Sequence, residues 1–190
     1  MRKIYFVTSN KHKFEEIKSF LEDVVNVEQL NIEVEEIQSS NLELISKKKA
    51  LYAFKIVNKP LFVEDSGLFI EALKGFPGPY SSYVYKTIGV KGILKLLENY
   101  KNRNARFISI ISYVDNSLKQ PICFKGIVEG KIATIARGNK GFGFDPIFIP
   151  QNYNKTFAED YELKKKISHR RKALEKFREF LIKNKNEEIK

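Results

Sequence analysis

Three short stretches of the chain bring together side chains able to handle a phosphorylated, charged ligand. The first, Thr8-Ser9-Asn10-Lys11-His12-Lys13, sets hydroxyl, amide and backbone N–H donors at a helix start, with a lysine one turn in. Unsatisfied N–H groups and the helix dipole favour an anion at such a place. The same residues also serve as ordinary helix caps, and the G-x-x-x-x-G-K-[ST] spacing of a P-loop is absent. The second stretch, Glu64-Asp65-Ser66-Gly67, ends an apolar run with two adjacent carboxylates. Their repulsion is offset by a divalent metal or a lysine, unless the segment is simply a solvated turn. Glu35-Glu36 is a further acidic pair, and Lys47, Lys48 and Lys49 lie between the two on a lysine-rich helix, two of them at least reading as solvated face. The third stretch, Gly141-Phe142-Gly143-Phe144-Asp145-Pro146, joins aromatic faces, a carboxylate and glycines that permit close backbone approach. It suits either the stacking of a base or a pair of core phenylalanines at a turn. Lys164 with Ser168-His169-Arg170 adds donors at the entry to the last helix, with no paired Cys or second well-placed His to support a zinc site.

These residues need elements to hold them. Lys3 to Thr8 predicts a short buried strand; Phe14, Ile17 and Leu21 then recur at helical spacing, with Ser9 or Asn10 as cap. A second extended stretch follows near residues 25–37, then a helix over about 46–58 with Ala50, Ala53, Phe54 and Val57 inward, broken at Pro60. Leu61-Phe62-Val63 reads as a three-residue strand running into a flexible acidic turn at Glu64 to Gly67. Residues 75–82 read as loop, 91–100 as helix, 107–114 and 122–135 as strands joined through Asp115-Asn116-Ser117, and 138–145 as a glycine-rich loop. Leu174, Phe177 and Leu181 mark a final amphipathic helix from near Ser168, with a tail frayed after about Lys183. Mixed order of this kind predicts an α/β fold with a mixed β-sheet flanked by helices.

Composition bounds the alternatives. The 190 residues suffice for one sizeable core, so residues 1–190 are read as a single domain, with folding into two lobes allowed. The net charge of +11 attracts polyanions, but residues 164–190 carry 11 Lys/Arg against 4 Glu, a net +7, leaving +4 for the rest. One cysteine, Cys123, excludes an intramolecular disulfide and fits a reducing compartment, and its apolar run predicts a buried, inert thiol. No apolar run approaches the roughly 20 residues that span a bilayer, and no signal-peptide pattern opens the chain, so a cytoplasmic protein without a membrane partner is expected.

In type and order these pieces resemble the inosine triphosphate pyrophosphatase family, also called the Ham1 or dITP/XTP pyrophosphatase family. The landmarks are T-S-N-K-H-K at 8–13, E-I-Q at 36–38, K-A-x-x-A at 49–53, E-D-S-G-L at 64–68, P-G-P-Y-S at 77–81, G-F-G-F-D-P-x-F at 141–148 and K-x-x-x-S-H-R at 164–170. Each is modest alone; seven in order are specific. The resemblance implies an elongated two-lobed α/β fold with a central mixed sheet, a nucleotide cleft between the lobes and a homodimer. It implies hydrolysis of ITP, dITP and XTP to monophosphate and pyrophosphate with Mg²⁺.

By residue, the resemblance implies that Thr8, Asn10, Lys13 and Lys49 bind the triphosphate, in a turn that also presents Ser9, Lys11 and His12 to substrate. Glu36 and Asp65 hold the metal, Asp65 accepts a proton from the attacking water, and Ser66 lies on the substrate; Glu64 is support. Phe142, Gly143, Phe144, Asp145, Lys164, His169 and Arg170 recognise the base. Donors at the 6-oxo group of hypoxanthine or xanthine, with an acceptor nearby, disfavour adenine by roughly 10⁴ when desolvated. Two departures stand out: Phe144 replaces the Trp or Tyr of many members, and Tyr83 the basic residue of some. The competing readings are a Maf-like pyrophosphatase acting on other nucleotides, and a nucleic-acid-binding module built on the positive charge; a stable nucleic-acid partner is not expected.

Overall fold

The computed structural model describes residues 2–187. Strand β1 (Lys3–Val7) leads through the polar turn to helix α1 (Lys11–Leu21), whose cap is Asn10: its side-chain oxygen accepts the Lys13 N–H. Strand β2 (Asn26–Leu30) precedes helix α2 (Leu42–Val57). That helix starts four residues before the expected Ser46, because Asn41 caps the N–H groups of Glu43 and Leu44; it stops at Asn58, held in the left-handed region at φ 49°. Strand β3 (Leu61–Ile70) runs ten residues and ends in a short 3₁₀ turn at Glu71–Leu73. Then come strand β4 (Pro77–Gly78), helices α3 (Ser81–Thr87) and α4 (Gly89–Leu96), and the long strands β5 (Asn104–Val114) and β6 (Ile122–Ile132). A 3₁₀ turn at Asp145–Ile147, strand β7 (Phe148–Pro150) and helices α5 (Tyr161–Ile167) and α6 (His169–Glu187) complete the order. The expectation of a frayed tail after about Lys183 is met by helix as far as Glu187; the remainder lies outside the described residues.

Among the described residues the strands form one seven-stranded sheet in the order β2-β1-β3-β5-β6-β7, with β4 paired to β3 off that path. Strands β2, β1 and β3 are parallel, whereas β4 on β3 and β7 on β6 are antiparallel, so the sheet is mixed, as expected. The chain divides into two compact units. Met1–Asp65, Ile110–Lys125 and Ala173–Lys190 make the first; Ser66–Ser109 and Gly126–Lys172 make the second.

The first unit follows the two-residue period of its strands. Ile4 and Phe6 of β1, Phe62 of β3 and Ile111 and Tyr113 of β5 pack with Ile17 and Leu21 of α1 and Leu174 and Phe177 of α6. The Phe6 and Phe62 rings stack at 4.6 Å. Val7, Leu61, Val63 and Val114 turn the other way, onto Ala50 and Ala53 of α2. The second unit packs Leu68 and Ile70 with Ile93, Leu97, Phe107, Val128, Phe148 and Phe157.

One expectation is overturned here. Glu64 to Gly67 is not a flexible turn but the middle of β3. Gly67 is there for space rather than for an unusual dihedral: a Cβ on it would lie 2.3 Å from the carbonyl oxygen of Gly78. The antiparallel pairing of Leu68 with Gly78 depends on that clearance. Cys123 is likewise only half-buried, with its sulfur 3.1 Å from Ser112 Oγ.

Candidate functional site

Because β3 continues through Glu64 and Asp65, the two carboxylates leave the strand on opposite faces. Glu64 shares parity with Phe62 and meets α1: its Oε2 lies 2.7 Å from Lys13 Nζ, and its side chain is fully buried. Asp65 shares parity with Leu61 and Val63 and meets α2: its Oδ1 lies 2.9 Å from Lys49 Nζ. The same ammonium lies 2.6 Å from Glu36 Oε1, so Lys49 bridges two carboxylates that are 29 positions apart in the chain. Burial depresses the Lys49 pKa, but Asp65 and Glu36 more than offset this and hold it above the ordinary lysine range. Asp65 Oδ2 is buried and has no hydrogen-bond partner. The mutual repulsion expected of adjacent acids is therefore relieved by geometry, each acid having its own lysine. Lys47 pairs with Glu43 one turn away and Lys48 is exposed, as a solvated helix face requires.

The Thr8–Lys13 turn is held from behind and open in front. The Thr8 N–H donates to Leu30 O at 3.1 Å, and Gln29 Nε2 donates to Thr8 O at 2.9 Å. Thr8 Oγ1 accepts the Asn10 N–H at 3.1 Å. Ser9, Asn10, Lys11 and His12 are exposed, while Lys13 reaches inward to Glu64. Asn10 caps the helix through its side-chain oxygen, a role that does not use its NH₂ group. Ser66 is half-buried, one residue beyond Asp65 along β3.

The second unit carries the remaining residues. Asp145, almost fully buried, accepts Lys164 Nζ at 2.5 Å and the Phe142 N–H at 2.8 Å, both on Oδ2. Burial pushes its carboxyl above the usual range, and Lys164, the Phe142 N–H and the Arg170 charge pull the other way without cancelling it. A Cβ on Gly141, which sits at φ +80°, would lie 2.2 Å from Asp145 Oδ2, so the loop wraps its own carboxylate only with glycine there. Phe142 is 46% exposed, with Lys164 Nζ 4.1 Å and Arg170 Cζ 5.4 Å from its ring centroid. A ring open on one side and backed by two cations suits a planar, electron-rich ligand.

Phe144 differs from expectation. It is 3% exposed, belongs to the second unit's core and meets Tyr85 edge-on at 5.5 Å, so it is a packing residue and not an open stacking surface. Gly143, at φ +62°, reverses the chain between the exposed and the buried ring. His169 is buried and stacked on Phe107 at 4.6 Å, and Arg170 is buried beside it. Helix α5, which carries Lys164, escaped the sequence reading; its signal is Asp160, whose side chain caps the Leu163 N–H. Gln29 and Ser81 escaped it too: Ser81 Oγ accepts the Leu68 N–H at 2.8 Å and donates to Gly78 O at 2.7 Å, locking β3 to β4.

The basic C-terminal segment is substantially engaged within the fold. Lys164 and Arg170 are buried, Lys172 and Lys176 donate to the carbonyls of Ile127 and Lys125, and Arg178 pairs with Asp23. Among the described residues no helix is long and apolar enough to cross a membrane.

Comparison with known proteins finds relatives that align over nearly the whole chain. A model of the Ham1 family matches residues 4–180. A dITP/XTP pyrophosphatase of Thermococcus kodakarensis is 52% identical over 184 residues, covering 96% of this chain and 98% of the relative. One from Saccharolobus solfataricus is 49% identical, covering 94% and 93%. Among solved structures, the Ham1 protein of Staphylococcus aureus superimposes with a TM-score of 0.87 at 32% identity, covering 96% of this chain and 100% of that one.

Proposed function

The chain belongs to the Ham1 family, and from that premise we propose that it hydrolyses non-standard purine nucleoside triphosphates, ITP, dITP and XTP, to the nucleoside monophosphate and pyrophosphate. The observation that carries the reading is the convergence of Glu36 and Asp65 on one cation, Lys49, in the same compact unit as a helix N-terminus of the kind that accepts phosphate.

In this reading the triphosphate meets the Thr8–Lys13 turn, where Thr8, Ser9, Asn10, Lys11 and His12 offer donors, with Lys13 and Lys49 neutralising charge. The water oxygen forms the new bond to phosphorus as the α–β anhydride bond breaks and pyrophosphate leaves. Asp65 takes the proton of that water on Oδ2, the oxygen that has no hydrogen-bond partner, its Oδ1 being the oxygen that Lys49 holds in the ligand-free chain. Ser66 contacts the substrate next to it. Positioning and electrostatics supply most of the acceleration for such a displacement.

A divalent cation fits the donor set. Two carboxylates, one of them with an unpartnered buried oxygen, are hard ligands, and Mg²⁺ binds typically through one or two carboxylates together with waters and substrate phosphates. Among the described residues there is no cluster of three or more His, Cys, Asp or Glu that would cage a metal by protein ligands alone. Glu36 and Asp65 would hold the ion, which when bound supplies neutralisation of the triphosphate and polarisation of a phosphoryl oxygen.

The base is assigned to the second unit: Phe142 stacks it, Lys164 and Arg170 favour a 6-oxo acceptor, and Gly143, Asp145 and His169 hold those groups in place. We take the two units as lobes of one functional domain, a reading supported by a single family match over residues 4–180, and extend the proposal to a cytoplasmic homodimer. The test is a product assay across ITP, XTP, dITP, GTP and ATP with Mg²⁺. Pyrophosphate from the deaminated purines, with little from ATP, is expected; release of orthophosphate, or ATP turned over as fast as ITP, would overturn the assignment.

A further inference from the structure

Lys49 occupies the position that a bound cation would take between Glu36 and Asp65. Its Nζ is 2.6 Å from one carboxylate and 2.9 Å from the other, both within direct ion-pair contact. Its backbone is fixed within the sixteen-residue helix α2, capped at Asn41 and stopped at Asn58, so exchange requires only that the flexible four-carbon stem swing. Around it, the two carboxylates Glu36 and Asp65 face the one ammonium of Lys49, a formal balance of −1, while Glu64 and Lys13 neutralise each other on the opposite face of β3. That is a poor attractor for a divalent ion. Without Lys49 the balance would be −2, and Glu36 and Asp65 would face each other with nothing between them.

We propose that Lys49 is a resident counter-ion that holds Glu36 and Asp65 together and is exchanged for the divalent cation only when a triphosphate arrives to take its ammonium. The inference rests on the reading of Glu36 and Asp65 as metal ligands and adds an order to it: the metal enters with the nucleotide instead of waiting in the site. A triphosphate with close to four negative charges draws Lys49 onto a phosphate oxygen and delivers its own chelated cation to the two carboxylates in the same event. The arrangement keeps the free enzyme from holding a metal-activated site in the absence of substrate, and it makes the metal–nucleotide complex the species recognised.

The probe is Mn²⁺ alone, titrated into the full chain without nucleotide and followed by electron paramagnetic resonance of the free ion. Lys49→Met and Lys49→Gln remove the ammonium, and each is expected to bind Mn²⁺ about tenfold or more tightly than the wild type, a change of about 1.4 kcal/mol. Lys49→Arg keeps the charge and is expected to stay as weak as the wild type. Adding Glu36→Gln to Lys49→Met should abolish the gain. Circular dichroism confirms that each variant is folded, and the Gln variant serves if the Met variant is not.

The inference fails if the wild type already binds Mn²⁺ as tightly as the neutral variants, or if the gain survives removal of Glu36. Wild-type pyrophosphate release from ITP, run alongside, separates the two levels. If that activity is present and the neutral variants gain nothing, only the exchange is wrong; if it is absent, the functional reading falls and the exchange falls with it.

Discussion

Replacing Lys164 by Met tests how the loop at Gly141–Pro146 is held. Lys164 and Asp145 form an ion pair at 2.5 Å with side chains only 6% and 3% exposed. Met keeps most of the apolar stem and deletes the charge, leaving a carboxylate out of water. Breaking a buried pair this way costs about 3–5 kcal/mol. The Phe142 N–H still donates to Asp145 Oδ2, and Arg170 still contributes its charge, so the lower end applies, about 3 kcal/mol. For a protein of this size each kcal/mol lowers Tm by about 2–4 °C, which predicts a drop of about 6–12 °C in thermal unfolding followed by circular dichroism at pH 7. Asp145→Asn in the same background removes the stranded charge and should recover more than half of the loss. The sign with pH follows from the raised Asp145 carboxyl. A carboxyl whose folded pKa exceeds its unfolded value of about 3.9 loses stability as pH rises through the interval between the two. Without Lys164 that interval widens upward, so the deficit should be smaller at pH 5 than at pH 8. A Tm within about 2 °C of the wild type, or a double variant no better than the single one, would refute the account of this pair.

Two further outcomes concern the frame. Asp115 accepts Arg2 Nη2 at 2.8 Å, Tyr113 OH at 2.7 Å and both N–H and O–H of Ser117; burial pushes its carboxyl up, but these donors outweigh it and hold the pKa below the usual range. Such a group stabilises above its unfolded pKa and loses that contribution as pH falls through its folded pKa, so Asp115→Asn should cost about 2 kcal/mol at pH 7 by urea denaturation, with the gap from wild type narrowing as pH falls below the unfolded value of about 3.9. Gly67→Ala forces a Cβ to 2.3 Å from Gly78 O, a backbone atom that moves only with β4, so overpacking of about 3 kcal/mol is expected, read as a Tm at least about 6 °C lower together with loss of ITP hydrolysis.

What the sequence disclosed and what it withheld divide along physical lines. Long periodic segments were legible: β1, α1, β5, β6 and α6 follow from residues such as Ile17, Leu21, Ile111 and Phe177, whose spacing has one structural reading. Strand β3 was misread because Gly67 was taken as punctuation, whereas its role is a tertiary clearance against Gly78 that no local pattern records. That misreading hid the parity argument: once residues 61–65 are a strand, Phe62 and Glu64 must share one face and Val63 and Asp65 the other. The ion pairs with Lys13 and Lys49 follow from which helix covers which face. The short helices α3 and α5 offer too few residues for a period to emerge. For the two loop phenylalanines, the sequence left open whether they stack a base or are a pair of core residues. The structure buries Phe144 and exposes Phe142, a division set by the left-handed glycines around them. The bridge made by Lys49 joins Glu36 and Asp65 across 29 positions, and it depends on how α2 lies against the sheet.

The central claim is that Asp65, held by Lys49 through one oxygen in the ligand-free chain and with its other oxygen buried without a partner, accepts the proton of the water that cleaves the triphosphate. Asp65→Asn keeps the size of the side chain and removes its basicity. Pyrophosphate release from ITP at saturating Mg²⁺, measured with ITP binding by calorimetry under Ca²⁺, separates chemistry from affinity. Turnover lower by about 10³ or more, with binding changed by less than about fivefold, is the predicted result. Turnover within about tenfold of the wild type, or a loss of binding as large as the loss of turnover, would contradict it.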